Sequence, residues 1–252
     1  MREWKLRGYV SPNDFSGSDA QRLQSALNEA AALDVGRVIV EDDLVCGEAV
    51  SLPGGMHLVL RANLAANLVC RGEANFSLAC KTVFIEAEGG SLKGSFTCFN
   101  GEKIVLKGLA VEGDVSFSYS RKIRMEDCSV SGRLTVARGT ADSIFQNLTV
   151  GEALVTGAAE EGPIIGREDV VKNVFLRNVT VTRGSVVLQA ADDAGLAYLL
   201  VDGITAPQTA VIVGDPAHPL PAERYEGLSL CDLVSPEPVR LHDPMLRTFL
   251  RP

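Results

Sequence analysis

Several things are scarce in this chain. Nowhere among its 252 residues do eighteen apolar residues stand in a row, so no membrane-spanning helix is expected. The opening Met1-Arg-Glu-Trp-Lys-Leu-Arg7 is charged, with no apolar stretch behind it, so no signal peptide is read there and a cytoplasmic location is expected. Basic residues are outnumbered, 24 Lys+Arg against 32 Asp+Glu, giving a formal net charge of −8 and a pI near 5.0. That balance argues against the positive footprint that nucleic acid or an anionic membrane selects, and neither is expected as a partner. Histidine occurs only at His57, His218 and His242, and the six cysteines include no C-x-x-C, so neither a metal site nor a cofactor is expected. Nor does a domain of this size need a disulfide framework; the thiols are read as reduced, with Cys128 a small buried hydrophobe. Aromatic residues make up 6% of the chain while glycine reaches 24 residues, a mix that suits short strands joined by tight turns.

One helix is expected, over residues 18–34. Ser18 and Gln21 fit a capping box, and Ala20, Leu23, Ala26, Leu27, Ala30 and Ala31 recur at three- and four-residue steps. From Gly36 the apolar period changes to two.

Beyond the helix the chain carries a diverged repeat of the form apolar, x, apolar, x, turn residue, apolar, x, apolar. It reads Ile104-Val-Leu106-Lys-Gly108-Leu109-Ala-Val111, then Ile123-Arg-Met125-Glu-Asp127-Cys128-Ser-Val130. It returns around Asn147, Asn178, Gly203 and Asp232. Measured at the apolar residue after the turn slot, the copies stand 19, 20, 31, 25 and 29 residues apart. Gly, Asp and Asn most readily take a left-handed backbone, so the slot reads as a bend between strands. A second alternating stretch comes after each copy, as in Val115-Ser-Phe117, Leu134-Thr-Val136, Ala153-Leu-Val155, Val186-Val-Leu188, Val211-Ile-Val213 and Val239-Arg-Leu241. Short strands repeated with a bend at a fixed place describe the coils of a parallel β-solenoid, each burying its apolar side chains by stacking on the next. An antiparallel sandwich gives no reason for the same residue classes to return to the same slot. The expectation is one all-β domain over 1–252, a single-stranded parallel β-helix. The helix and the tail 243–252 would cap about nine or ten coils occupying 36–242.

The stretch Asn13-Asp-Phe-Ser-Gly-Ser-Asp-Ala-Gln-Arg-Leu-Gln-Ser-Ala-Leu-Asn-Glu-Ala30, with Gly36-Arg-Val-Ile-Val40 and Leu52-Pro-Gly-Gly-Met-His-Leu-Val-Leu60 after it, resembles the cap and first coil of the pectin-lyase-like right-handed parallel β-helix proteins. The polygalacturonase branch and related phage tailspike enzymes are most similar, and Leu176-Arg-Asn-Val-Thr-Val181 resembles that branch's coil motif. The resemblance implies a carbohydrate-active protein hydrolysing or binding acidic glycans, through paired carboxylates set just before the second-stretch strand. At that slot this chain has Gly113, Gly132, Gly151 and Gly184, then Thr209 and Glu237. No Gly-His-Gly, Asn-x-Asp or Arg-x-Lys stands where the branch's chemistry needs it. A non-catalytic binding or assembly module is therefore the alternative.

The remaining chemistry is expected on loops. Three insertions, at 157–171, 189–197 and 214–227, leave the same edge of consecutive coils and carry Glu160, Glu161, Asp215 and His218 as candidate binding groups. Asp192 and Asp193, on the middle loop, are the candidate acid/base pair; carboxylates brought within about 5–9.5 Å across a groove would favour an enzyme. Asp114, Arg133 and Glu152 fall on adjacent rungs, where they form either a self-neutralising stack or, for Asp114 and Arg133, a second binding row. Lys103, Lys107, Arg121, Lys122, Arg124 and Arg177 gather on the first-half strands, an alternative docking face for an acidic glycan. The expected partner is an oligo- or polysaccharide, bound by a monomer or a weak homo-oligomer.

Overall fold

The computed structural model describes residues 7–32, 36–158 and 162–242. Strands stack in parallel along the chain. On one face Arg37–Val40, Met56–Leu60, Cys80–Ala87, Gly101–Lys107, Arg124–Glu126, Ala141–Thr156, Val171–Val181, Leu196–Thr205 and Ser229–Val234 pair in succession, nine rungs among the described residues. A second ladder runs from Val50–Ser51 through Leu68–Arg71, Phe96–Phe99 and Val115–Ser118 up to Arg240–Leu241. In-register pairs such as Leu106 beneath Met125 and Met125 beneath Phe145 place the apolar residues of each repeat over one another. They fill an interior that includes a run of rings, Phe96 to Phe117 at 5.7 Å and Phe117 to Phe145 at 5.6 Å between centroids. Cys128 lies in this core as expected, and burial pushes its thiol up to about 11.

All six turn slots of the repeat have a left-handed backbone: Gly108, Asp127, Asn147, Asn178, Gly203 and Asp232 lie between φ 49° and 69°. Three of the polar ones are tied rung to rung. Asn147 Nδ2 donates to Asp127 Oδ1 (3.0 Å), and Asn178 Nδ2 donates to Asn147 Oδ1 (3.1 Å). A second left-handed column lies five residues earlier in each of those copies, at Lys103, Lys122, Asp142, Asn173, Tyr198 and Gly227. Each first-half strand is therefore bracketed by two sharp bends, which set it at an angle to the chain on either side.

The helix α1 (Asp19–Ala32) begins at the expected capping box, with Ser18 N donating to Gln21 Oε1 and Gln21 N donating to Ser18 Oγ. Its core stripe is Ala20, Leu23, Ala26, Leu27 and Ala30; Ala31 faces out, so the stripe is narrower than the spacing suggested. Gln24 covers the open edge of the first coil by donating to Ser51 O and accepting from Ser51 N, both at 3.0 Å. Unpaired strand edges invite further pairing, and this side chain satisfies one in both directions. Residues 33 and 34 of the expected helix, and the expected cap 243–252, lie outside the described residues.

Candidate functional site

The three insertions come after strands ending at Thr156, Gln189 and Val213, and their side chains meet. Arg138, on the coil below, reaches up between two of them: its Nε lies 3.1 Å from Asp169 Oδ1 and its Nη2 lies 2.8 Å from Asp193 Oδ2. Tyr119 donates its hydroxyl to the same Asp169 oxygen at 3.0 Å. Arg224 of the third loop donates to the backbone oxygen of Asp192, and Gln189 Nε2 donates to Asp215 Oδ2 at 3.2 Å.

This arrangement decides what the loop acids do. The Arg138 guanidinium holds the carboxyls of Asp169 and Asp193 below the usual carboxylate range, while burial and then Asp169 push the Tyr119 hydroxyl up to about 12. Hydrolysis by paired carboxylates needs one of them raised, so that it carries a proton near neutral pH. The carboxyls that shift clearly, Asp43, Glu88, Glu102, Asp169, Asp193 and Glu237, all shift downward. Of the candidate acid/base pair, Asp192 is engaged through its backbone oxygen by Arg224 and Asp193 is clamped by Arg138. Asp215 accepts from Ala217 N at 2.9 Å and lies 3.6 Å from the exposed His218, a turn held by its own residues. Glu160 and Glu161 lie outside the described residues.

The slot ahead of the second-stretch strand has a physical reason for its glycines. A Cβ on Gly113 would sit 2.7 Å from Gly94 O, one on Gly132 2.7 Å from Gly113 O, and one on Gly151 2.5 Å from Gly132 O. At these three rungs the coils approach too closely for any side chain, so there the position at which the resemblance places carboxylates cannot hold one. At Glu237, the one acid in the slot, Thr209 and Arg240 take the carboxylate. Beside the glycines, Arg133 N donates to Asp114 Oδ1 (2.8 Å) and its guanidinium pairs with Glu152 (2.7 Å), a self-neutralised stack. Ser185, at the equivalent place on the next coil, is buried. Three members of the basic face are likewise paired: Lys122 with Glu102, Arg124 with Glu126 and Arg177 with Asp202.

Arg121 departs from that group and lines a cleft that the sequence does not announce. The cleft has a volume of about 240 Å³, between the 162–170 loop and the starts of two strands; Arg121, Asp142, Arg167, Glu168, Lys172 and Asn173 supply its polar lining. A buried asparagine fixes its geometry. Asn100, fully enclosed with φ 49°, donates through Nδ2 to Glu73 O (2.6 Å) and Asn75 O (2.9 Å), and its Oδ1 accepts from Nε and Nη2 of Arg167 (3.3 and 3.1 Å). Phe76 N donates to Ile165 O and Ile165 N to Ala74 O, so the two loops are also stitched through their backbones. Phe76, Leu78 and Ile165 stay half or more exposed beside the cleft. Among the described residues, no three His, Cys, Asp or Glu are placed to hold a metal ion.

No family model matches the chain. No curated protein matches it either. Solved structures do. A tailspike variant of E. coli bacteriophage HK620 in complex with a pentasaccharide aligns with a TM-score of 0.63 at 12% identity, covering 93% of this chain and 52% of that one. The HK620 tailspike itself, also with a pentasaccharide, aligns at 0.62 and 13% identity over 95% of this chain and 52% of the tailspike. This chain thus spans about half the length of those tailspike chains. With the stacked parallel coils, the left-handed bend columns and the capping helix, the likeness shows the fold: this is a right-handed parallel β-helix.

Proposed function

We propose that the chain is an oligosaccharide-binding β-helix that holds its glycan at the loop edge and does not cleave it, acting as a monomer or a weak homo-oligomer. The observation that carries the reading is the preorganised polar cleft on the edge where the insertions gather, bordered by the exposed ring of Phe76. At about 240 Å³ it is smaller than the roughly 300–1,000 Å³ of sites that enclose a drug-sized ligand, a size for one sugar ring or its substituent. That the tailspike neighbours are in complex with pentasaccharides supports glycan as the ligand class. Among the described residues the polygalacturonase-like alternative rests on the Asp192–Asp193 loop, and the ion pair of Asp193 with Arg138 argues against it.

Glycan-array binding, run beside a reducing-sugar release assay on the glycans that bind, tests this. Binding without release is the expected result. Release of reducing ends that disappears in Asp193→Asn would establish the hydrolase instead, and silence on the array would overturn the glycan reading.

A further inference from the structure

We propose that the cleft is an oxyanion receptor, in which Arg167 and Arg121 hold a carboxylate, sulfate or phosphate group carried by the bound sugar; this deepens the reading above and rests on it. Three cations line the site, Arg121, Arg167 and Lys172, with two carboxylates, Asp142 and Glu168, and the Lys122–Glu102 pair lies beside it, adding one charge of each sign. Each carboxylate is taken: Glu102 by Lys122 (2.9 Å), Asp142 by Arg121 (3.2 Å) and Glu168 by Lys172. Counting 4 − 3 leaves one positive charge, and it belongs to Arg167, which forms no ion pair among the described residues.

A guanidinium placed half-buried beside a second guanidinium is unfavourable unless an anion completes the set. Burial and then Arg121 do push the Arg167 guanidinium below its usual value. A guanidinium has five N–H donors, and Arg167 spends one from Nε and one from Nη2 on Asn100, leaving three. Arg121 adds a buried Nε–H with no hydrogen-bond partner, and Asn173 also lines the cleft. Free donors of a planar fork next to a second cation are the geometry that oxyanions select. The spot is positive on a chain whose net charge is −8, so a bulk electrostatic attraction does not explain it.

The test is titration of the whole chain, followed by calorimetry and by NMR of the arginine Nε–H groups. Probes are glucuronate, glucose 6-sulfate, glucose 6-phosphate, uncharged glucose and inorganic sulfate. At least one charged sugar is expected to bind more tightly than glucose, to shift the Nε–H signals of Arg167 and Arg121, and to weaken as salt rises. Arg167→Gln is expected to lose roughly 10- to 100-fold in that affinity, the worth of a charge-assisted hydrogen-bonded pair, while Arg61→Gln, at a residue paired with Glu88 and outside any candidate site, leaves it unchanged. Should Arg167→Gln fail to fold, Arg167→Lys, which keeps the charge and loses the fork, is expected to bind with intermediate affinity. Equal affinity in Arg167→Gln, or signals that move only elsewhere, overturns the proposal. Glucose binding as tightly as its charged derivatives overturns it while leaving the glycan reading intact. Inorganic sulfate binding with no sugar bound overturns the sugar as source and the glycan reading with it, and no binding by any probe overturns both.

Discussion

Replacing Gly132 by alanine puts the crowding between coils to a quantitative test. Gly132 has no left-handed φ, so removing backbone freedom from the unfolded chain would, with space available, stabilise the protein by about 0.4–1 kcal/mol. Space is not available: the new Cβ would lie 2.7 Å from Gly113 O and 2.9 Å from the same carbonyl carbon, both backbone atoms of the coil below. Because Gly132 N also donates to Gly113 O at 3.2 Å, the two coils cannot separate there without losing a hydrogen bond. Overpacking of this kind costs about 1–3 kcal/mol, which outweighs the entropic gain. Set against the entropic gain, the middle of these ranges leaves a net loss of about 1.3 kcal/mol, and at about 2–4 °C per kcal/mol for a chain of this size Gly132→Ala should lower Tm by roughly 3–5 °C. Gly47, also without a left-handed φ, has nothing within 4 Å of a Cβ, and Gly47→Ala should leave Tm unchanged or raise it by a few degrees. Thermal unfolding of the two variants followed by circular dichroism is the assay. A Gly132→Ala protein as stable as the wild type would refute the argument that the slot is closed to side chains, and would reopen it to catalytic groups.

Phe145→Ala removes a fully buried ring packed on Phe117 at 5.6 Å and should cost about 3–5 kcal/mol in urea unfolding, with a collapse of near-ultraviolet dichroism. Asn147→Ala should be less stable than Asn147→Gly by about 1 kcal/mol: both lose the ladder hydrogen bonds, but only alanine bears the strain of φ 54°. Asp169 and Asp193 have proton affinities lowered in the folded chain, so their contribution is present above the ordinary carboxylate range and is lost as pH falls from about 4 through the folded values. Arg138→Met should therefore be less stable at neutral pH and converge on the wild type below pH 4, read as urea midpoints against pH.

The coil architecture was legible because a β-helix repeats its physics. Six turn slots held only Gly, Asp or Asn, and each one takes the left-handed backbone those residues tolerate. The second bend column was hidden by its residue types, since Lys103, Lys122 and Tyr198 are not left-handed formers. Its constant five-residue lead on the first column was the available signal. For the site, the sequence located the loop edge and the ladder of Asp114, Arg133 and Glu152, and paired Asp193 with Asp192 as the candidate acid and base. Nothing in the spacing shows that Arg138 reaches it across 55 residues of chain. The cleft escaped for the same reason: Arg167 and Asn100 are 67 residues apart, and Arg121 alternates in pattern with the outward lysines.

The measurement that tests the account most directly is a hydrogen-exchange footprint of an oligosaccharide identified on the array, with the ligand's length followed by mass spectrometry in the same samples. Protection should rise at residues 139–142 and 162–173, around the cleft, while the oligosaccharide stays intact. Protection confined to the outer faces of Val115–Ser118 and its neighbours in that ladder, or an oligosaccharide that shortens with time, would contradict it.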